Sequence, residues 1–233
     1  MSELTPQSLR RIVVRSTNWV GDAVMTIPAL RELRRILPDA HITLATRSWA
    51  SDLFSSAGFI DELLISDRKG TFQQAKEWRK HGFDLVLLFT NSFATALIPA
   101  LARVPNRIGY ATEHRSFLLT KAVPVPEWQN TRHEVYYYLN LVKAVGKLVG
   151  RQVTTEPIDG SVEISEAAHQ LAKTLLEDSG VRRDRPLVAL CPGSINSRAK
   201  RWAADRYALL ADRIMNELDA ACVLIGSEAE LDV

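Results

Sequence analysis

The stretch from Arg11 to Asp22 reads as a short apolar strand, Arg11–Arg15, running into the loop Ser16–Gly21, with a helix after it. In open α/β sheets, ligands bind beside such loops at the carboxyl ends of strands. Gly21 lets backbone approach a ligand closely. Asp22 has two readings. It can cap the following helix, which contributes about 1 kcal/mol. It can also stand at the mouth of a cleft and take a proton from a substrate hydroxyl. Pro28 speaks against a regular helix beginning at Asp22. It predicts a kink, or a start near Thr26 with Pro28 in the first turn.

A second strand-to-helix loop, Pro192–Arg201, carries Gly193 and Ser194, which can turn backbone N–H groups and a hydroxyl toward an anion. Lys200 and Arg201 add positive charge just before a helix N-terminus. Together these make a phosphate site, or else a solvated basic loop. Trp202 reads as a packing residue. A third segment places Asn91 and Ser92 at a strand end, as a helix cap or as cleft lining. Arg103, Arg107, His114 and Arg115 follow within thirteen residues as a basic rim. Such a run is usually a solvated face, but here it is expected to follow strand ends on the same side as Asp22, where it would seat an anionic acceptor.

Other chemistries lack their signatures. No G-x-G-x-x-G follows the first strand and no G-x-x-x-x-G-K-[ST] occurs, which counts against nicotinamide-linked oxidoreductases and P-loop NTPases. His81, His114, His133 and His169 show no metal-ligand spacing, so no metal site is read. There is no G-x-S-x-G elbow and no catalytic-cysteine signature. Cys191 and Cys222 read as two buried thiols of a reducing cytoplasm.

The elements that must position these groups alternate. Strands are predicted at Arg11–Arg15, His41–Ala45, Glu62–Ile65, Leu85–Phe89 and Arg107–Tyr110. Helices are predicted at Ala23–Leu37, Trp49–Ala57, Thr71–His81, Phe93–Arg103 and about Arg132–Leu148. Such alternation predicts βαβ units and a parallel sheet. The polar stretch Arg151–Asp159 reads as a linker. Beyond it come a helix capped by Ser165, a strand Pro186–Cys191, a helix Asp205–Leu218 and a strand Ala221–Ile225. This divides the chain into a first lobe, 1–160, and the start of a second, 161–233.

With 233 residues, 46% hydrophobic and 24% charged, the composition is that of a soluble globular protein. The apolar stretch Phe93–Val104 is broken by Pro99 and Arg103, too short to span a bilayer. The N-terminus lacks a signal-peptide apolar region. A net charge of +2 gives nucleic-acid binding no support. Bases gather between Arg198 and Arg213, and an acidic run with Glu217, Asp219, Glu228, Glu230 and Asp232 follows.

Taken together, these segments resemble the ADP-heptose:lipopolysaccharide heptosyltransferases, glycosyltransferase family 9. The matching residues are Asn18-Trp19-Val20-Gly21-Asp22, then Asn91-Ser92-Phe93 with Ala96-Leu97-Ile98-Pro99, and Pro105-x-Arg107-x-Gly109-Tyr110 with Glu113-x-Arg115. Cys191-Pro192-Gly193-Ser194, Ala199-Lys200-Arg201-Trp202 and Gly226-Ser227 complete the set. The resemblance implies a GT-B fold, two Rossmann-like lobes with parallel sheets, the second incomplete in this chain. It implies an inverting transfer of L-glycero-D-manno-heptose from ADP-heptose to a heptosyl-Kdo-lipid A acceptor, with Asp22 as general base and no cofactor. Gly21, Gly193, Ser194, Lys200 and Arg201 would hold the donor phosphates, and Asn91, Ser92, Arg107 and Arg115 the acceptor. The implied location is cytoplasmic, peripheral to the inner face of the cytoplasmic membrane.

The family also implies an acidic ribose-binding residue and a D-x-G-x-x-H loop beyond Val233. Without them the chain is expected to bind donor poorly. Another sugar-nucleotide enzyme of GT-B type, such as an epimerase, and a non-catalytic acceptor-binding fragment are the competing readings.

Overall fold

The computed structural model describes residues 5–67, 70–182, 184–194 and 198–227. The acidic residues Glu228, Glu230 and Asp232, and residues 195–197 of the second loop, lie outside the described residues. The chain divides into two compact units, Met1–Ser165 and Glu166–Val233.

The first unit is a parallel α/β sandwich. Its strands are β1 (Arg11–Arg15), β2 (His41–Thr46), β3 (Glu62–Ile65), β4 (Leu85–Leu88), β5 (Asn106–Tyr110) and β6 (Lys121–Val123). They form a six-stranded sheet in the order β3-β2-β1-β4-β5-β6, every neighbouring pair parallel. The helices are α1 (Val20–Met25), α2 (Ile27–Ile36), α3 (Ser48–Ser51), α4 (Thr71–His81), α5 (Phe93–Leu101) and α6 (Val135–Leu148).

The runs of Ile, Val and Leu in β1 and β4 are buried on both faces, as a parallel sheet covered by helices requires. Alternation along β1 sends Ile12 and Val14 into one apolar cluster, with Ile27, Leu30 and Leu33 of α2 and Leu141 and Val142 of α6. Val13 points the other way, into a second cluster with Trp78 of α4 and Ala96 and Ile98 of α5. Asp84 fixes the amino edge, its Oδ2 accepting from the N–H groups of Arg10 and Arg11 at 2.9 and 2.8 Å.

Three expectations change. The helix read as Ala23–Leu37 is two helices separated at Thr26, with Pro28 in the first turn of α2, as the second reading of Pro28 expects. A proline has no N–H to give, so the chain restarts its helix there. The helix read at Trp49–Ala57 is the short α3 followed by a 3₁₀ turn, Asp52–Phe54. The stretch Arg151–Asp159 is no free linker but a strap tied back onto the unit. Arg35 donates to Gln152 O at 2.6 Å, the Thr154 N–H donates to Glu32, and Arg31 pairs with Asp159 at 3.4 Å and Glu163 at 3.1 Å.

The second unit holds α7 (Glu166–Asp178), β7 (Leu187–Leu190), α8 (Ala204–Leu218) and β8 (Ala221–Leu224). β7 and β8 pair in parallel. Cys222 is half-buried, but Cys191 is exposed, contrary to the expectation of two buried thiols. It follows the last residue of β7 and belongs to the loop.

The strap generates a prediction. A Cβ on Gly146 would lie 2.6 Å from Arg151 O and 2.7 Å from Val153 Cγ2. Backbone cannot yield as a side-chain tip does, so Gly146→Ala is expected to cost about 1–3 kcal/mol. Urea unfolding measures this, and an unchanged midpoint would refute it.

Candidate functional site

The strand order reverses direction at β1 and β4, the switch point where doubly wound sheets open a crevice. A crevice of about 250 Å³ lies there. The loop after β1 lines it with Thr17, Asn18, Trp19 and Asp22, and the loop after β4 with Phe89, Thr90, Asn91 and Ser92. Glu134 and Tyr138 close it from the start of α6. A larger hollow of about 420 Å³ lies beside Gly82, Asp84 and Arg103 at the opposite, amino edge of the sheet. Position and polar lining, not volume, mark the crevice as the site.

Asp22 sits in the first turn of α1, three residues past the cap position, which Trp19 occupies without a side-chain bond. It is therefore not the cap. Its half-buried carboxylate makes no hydrogen bond among the described residues, which leaves its oxygens available to an incoming hydroxyl. Its charge is felt across the crevice. Burial, then Asp22, raises Glu134 above the ordinary carboxylate range, against a smaller opposing effect of His133. Burial, then Asp22, also pushes the Tyr138 phenol above its usual value.

Ser92 caps α5, accepting from the Thr95 N–H at 3.4 Å, while it also faces the crevice. Both readings of Ser92 hold. Asn91 is held on three sides. Its Nδ2 donates to Tyr137 Oη at 3.1 Å, its Oδ1 accepts from Arg115 at 3.5 Å, and its carbonyl accepts from Thr112 Oγ1 at 2.9 Å. Glu113 accepts from the Phe93 N–H at 2.9 Å and ties the loop after β5 to the same helix start.

The basic rim does not exist as a rim. Arg115 is fully buried. Its guanidinium donates to the carbonyls of Tyr110 at 2.9 Å, Thr90 at 2.7 Å and Ser92 at 3.2 Å. Burial lowers its pKa to about 10, so it stays cationic at neutral pH. It positions the loop and offers nothing to an acceptor. Arg107 is the second residue of β5, at the amino edge, and its guanidinium donates to Leu118 O and Val104 O, both at 2.6 Å. Arg103 lies at that same edge. In a parallel sheet, residues before and after one strand end on opposite edges, and adjacency along the chain hid this.

In the second unit the loop after β7 brings Gly193 and Ser194, both half-buried, toward α8. Arg201 Nε donates to Ser194 O at 3.1 Å, so it staples the loop. Lys200 ends a 3₁₀ turn and is exposed. Trp202 packs edge-on against Tyr207, ring centres 5.4 Å apart. Gly21 is exposed, with open space where a Cβ would stand. Among the described residues no group of three or more His, Cys, Asp or Glu could hold a metal ion.

Sequence reasoning missed Glu134 and Tyr138. They come from α6, far along the chain, and carry no local motif.

Comparison with known proteins gives a consistent result. The pattern of glycosyltransferase family 9 (heptosyltransferase) matches residues 71–232. The chain is 29% identical over 230 residues to lipopolysaccharide heptosyltransferase 2 of Salmonella typhimurium, covering 93% of this chain and 63% of that protein. It is 28% identical over 228 residues to lipopolysaccharide heptosyltransferase 2 of Escherichia coli, with the same coverage, 93% and 63%. Among solved structures, E. coli ADP-heptose lps heptosyltransferase II superposes with a TM-score of 0.77 at 26% identity, covering 94% of this chain and 65% of that one. A family 9 glycosyl transferase from Veillonella parvula gives 0.80 at 26% identity, covering 99% and 65%. These likenesses bear out the α/β fold of GT-B type. The chain spans about 63% of the length of the curated relatives it matches.

Two predictions follow from the crevice. Arg115→Met leaves buried carbonyls of Tyr110 and Thr90 without their donor, and is expected to cost at least about 2 kcal/mol in urea unfolding. A loss below half of that would show the carbonyls find other donors. For Glu134 the raised value means that folding favours its neutral form. Its contribution is complete below the ordinary carboxylate range and is lost as pH climbs through the raised value. Glu134→Gln is therefore expected to melt higher than the parent at pH 7, with the gap closing below pH about 4. Thermal melts at both pH values check this, and a gap of equal size at both would sink it.

Proposed function

The chain belongs to glycosyltransferase family 9, and from that premise we propose that it transfers L-glycero-D-manno-heptose from ADP-heptose to the inner-core heptose of lipopolysaccharide, with inversion at the anomeric carbon. One observation carries the reading: the Asp22 carboxylate stands without hydrogen-bond partners among the described residues, in a polar crevice at the sheet's switch point.

The step balances simply. The acceptor hydroxyl oxygen bonds to the anomeric carbon as the bond to the ADP oxygen breaks on the opposite face. Asp22 takes the hydroxyl proton as that bond forms, when the hydroxyl is most acidic. The half-buried Glu134 beside it keeps a second carboxyl at the acceptor's approach. Asn91 and Ser92, fixed by Tyr137 and Arg115, present polar groups to the acceptor sugar.

The donor diphosphate is assigned to the second unit. Gly193 and Ser194 supply backbone N–H groups and a hydroxyl, Arg201 holds that turn in shape, and α8 begins just beyond. Lys200 and the helix N-terminus neutralise the departing charge. No helix among the described residues is long and apolar enough to cross a membrane. A lipid-linked acceptor then calls for reversible, peripheral contact at the inner face of the cytoplasmic membrane.

The test is transfer from ADP-heptose to a heptosylated Kdo-lipid A acceptor. Asp22→Asn keeps shape and loses basicity, so the rate is expected to fall by about 10²–10⁴-fold with donor binding intact. Equal rates for parent and variant would overturn the base role. A parent chain that binds donor and acceptor together yet transfers nothing would overturn the reading itself.

A further inference from the structure

The acceptor proposed above is anionic, and the two arginines expected to meet it are committed elsewhere, Arg115 to buried carbonyls and Arg107 to the far edge of the sheet. We propose that Arg15 and Arg47 form an oxyanion subsite at the carboxyl ends of β1 and β2, taking a phosphate or carboxylate group carried by the acceptor saccharide. This rests on the family reading of Asp22.

The placement comes from strand register. β1 and β2 are adjacent and parallel, with Arg15 opposite Ala45. Arg47 lies two residues past Ala45, which puts it on the same face of the sheet. Arg15 is only 3% exposed, and its Nε and Nη1 have no hydrogen-bond partner among the described residues. Buried guanidinium groups are normally paired, so an unpaired one asks for an explanation. Packing alone does not supply it, because an aliphatic side chain such as Val13, on the same face below, would fill that space without the cost of desolvation.

The charge balance points the same way. Burial, then the neighbouring Arg47, lowers Arg15 to about 10, while Asp67 opposes. Asp67 also accepts from the Ser48 N–H at 3.2 and 3.3 Å. With Asp67, the two guanidinium groups carry one positive charge in excess. An oxyanion arriving there relieves the repulsion and supplies the acceptor that the buried Arg15 Nε and Nη1 lack.

The seat is also rigid and joined to the reaction crevice. Arg47 Nη1 donates to Ser66 O at 2.7 Å and Nε to Asn18 Oδ1 at 3.3 Å. Its guanidinium lies 5.7 Å from the centre of the Trp49 ring, and the Trp49 indole donates to Asn18 O at 3.0 Å. Asn18 lines the same crevice as Asp22. An acceptor anchored at Arg47 therefore has its neighbouring sugar beside the base. That continuity assigns the subsite to the acceptor rather than to the donor diphosphate.

The experiment titrates inorganic phosphate at constant ionic strength and follows the indole N–H resonances of the ¹⁵N-tryptophan-labelled chain. Trp49 is assigned by Trp49→Phe. A saturable shift of the Trp49 signal is expected, at least tenfold weaker in Arg47→Gln and unchanged in Arg103→Gln at the other edge. Arg15→Lys keeps the charge but loses the planar fork, and should weaken binding several-fold while the remaining indole signals keep their positions. A phosphorylated monosaccharide is expected to compete more tightly than ADP. No saturable shift, equal affinity in Arg47→Gln, or ADP as the stronger competitor would overturn the proposal. None of these readouts needs turnover. A chain that binds phosphate here but never transfers heptose would instead overturn the proposed function and leave the subsite standing.

Discussion

The crevice depends on one buried cation. Arg115 reaches from the loop after β5 to carbonyls of Tyr110, Thr90 and Ser92, and so binds the carboxyl ends of two adjacent strands into one piece. A charge buried this deeply is tolerated because its donors meet oxygen atoms in nearly every direction. Gly109 leaves the room it needs, since a Cβ there would lie 3.2 Å from Arg115 Nη2. The network continues through Asn91 to Tyr137, and through Tyr110 to Asn140 and the Tyr137 carbonyl. Tyr110 and Tyr137 stack with ring centres 4.0 Å apart. By this route α6, which brings Glu134 and Tyr138, is locked to the loop that brings Asn91 and Ser92.

The second constraint is the parallel sheet. Every connection leaving a strand emerges at one edge, and every connection entering a strand arrives at the other. The crevice opens at the first edge, where Asp22, Asn91, Ser92 and the pair Arg15 and Arg47 all follow or end their strands. The amino edge is devoted to closure. Asp84 receives two backbone N–H groups there, and Arg107 satisfies two carbonyls.

What the sequence disclosed follows from these rules. Strands of four or five apolar residues and helices with a three- to four-residue apolar period were legible because burial writes itself into composition. The break at Thr26 was legible because Pro28 cannot do otherwise. β6 was not, since three residues, Lys121–Val123, carry no period to read. Asp22 was legible because loop, glycine and carboxylate stand together in the chain. Glu134 and Tyr138 were illegible because they enter from another element. The arginines were misread for a plain reason. A guanidinium looks like surface charge in a sequence, and only the surrounding carbonyls reveal that Arg115 is a structural bolt. Arg15 escaped notice because it read as the polar end of a strand, where a guanidinium ordinarily meets water.

The crevice at the switch point also bears on how such a molecule can change over time. It opens because the chain leaving β1 packs on one face of the sheet and the chain leaving β4 packs on the other. No core side chain had to be removed to make it. A cavity carved into a packed interior loses about 24 cal/mol for each Å³, and a gap between diverging connections carries no such loss. An exposed residue such as Asn18 can therefore be exchanged without disturbing the two apolar clusters beneath it. Phe89 and Tyr138 serve both the crevice and the first apolar cluster, so drift across generations is confined to the polar residues above them.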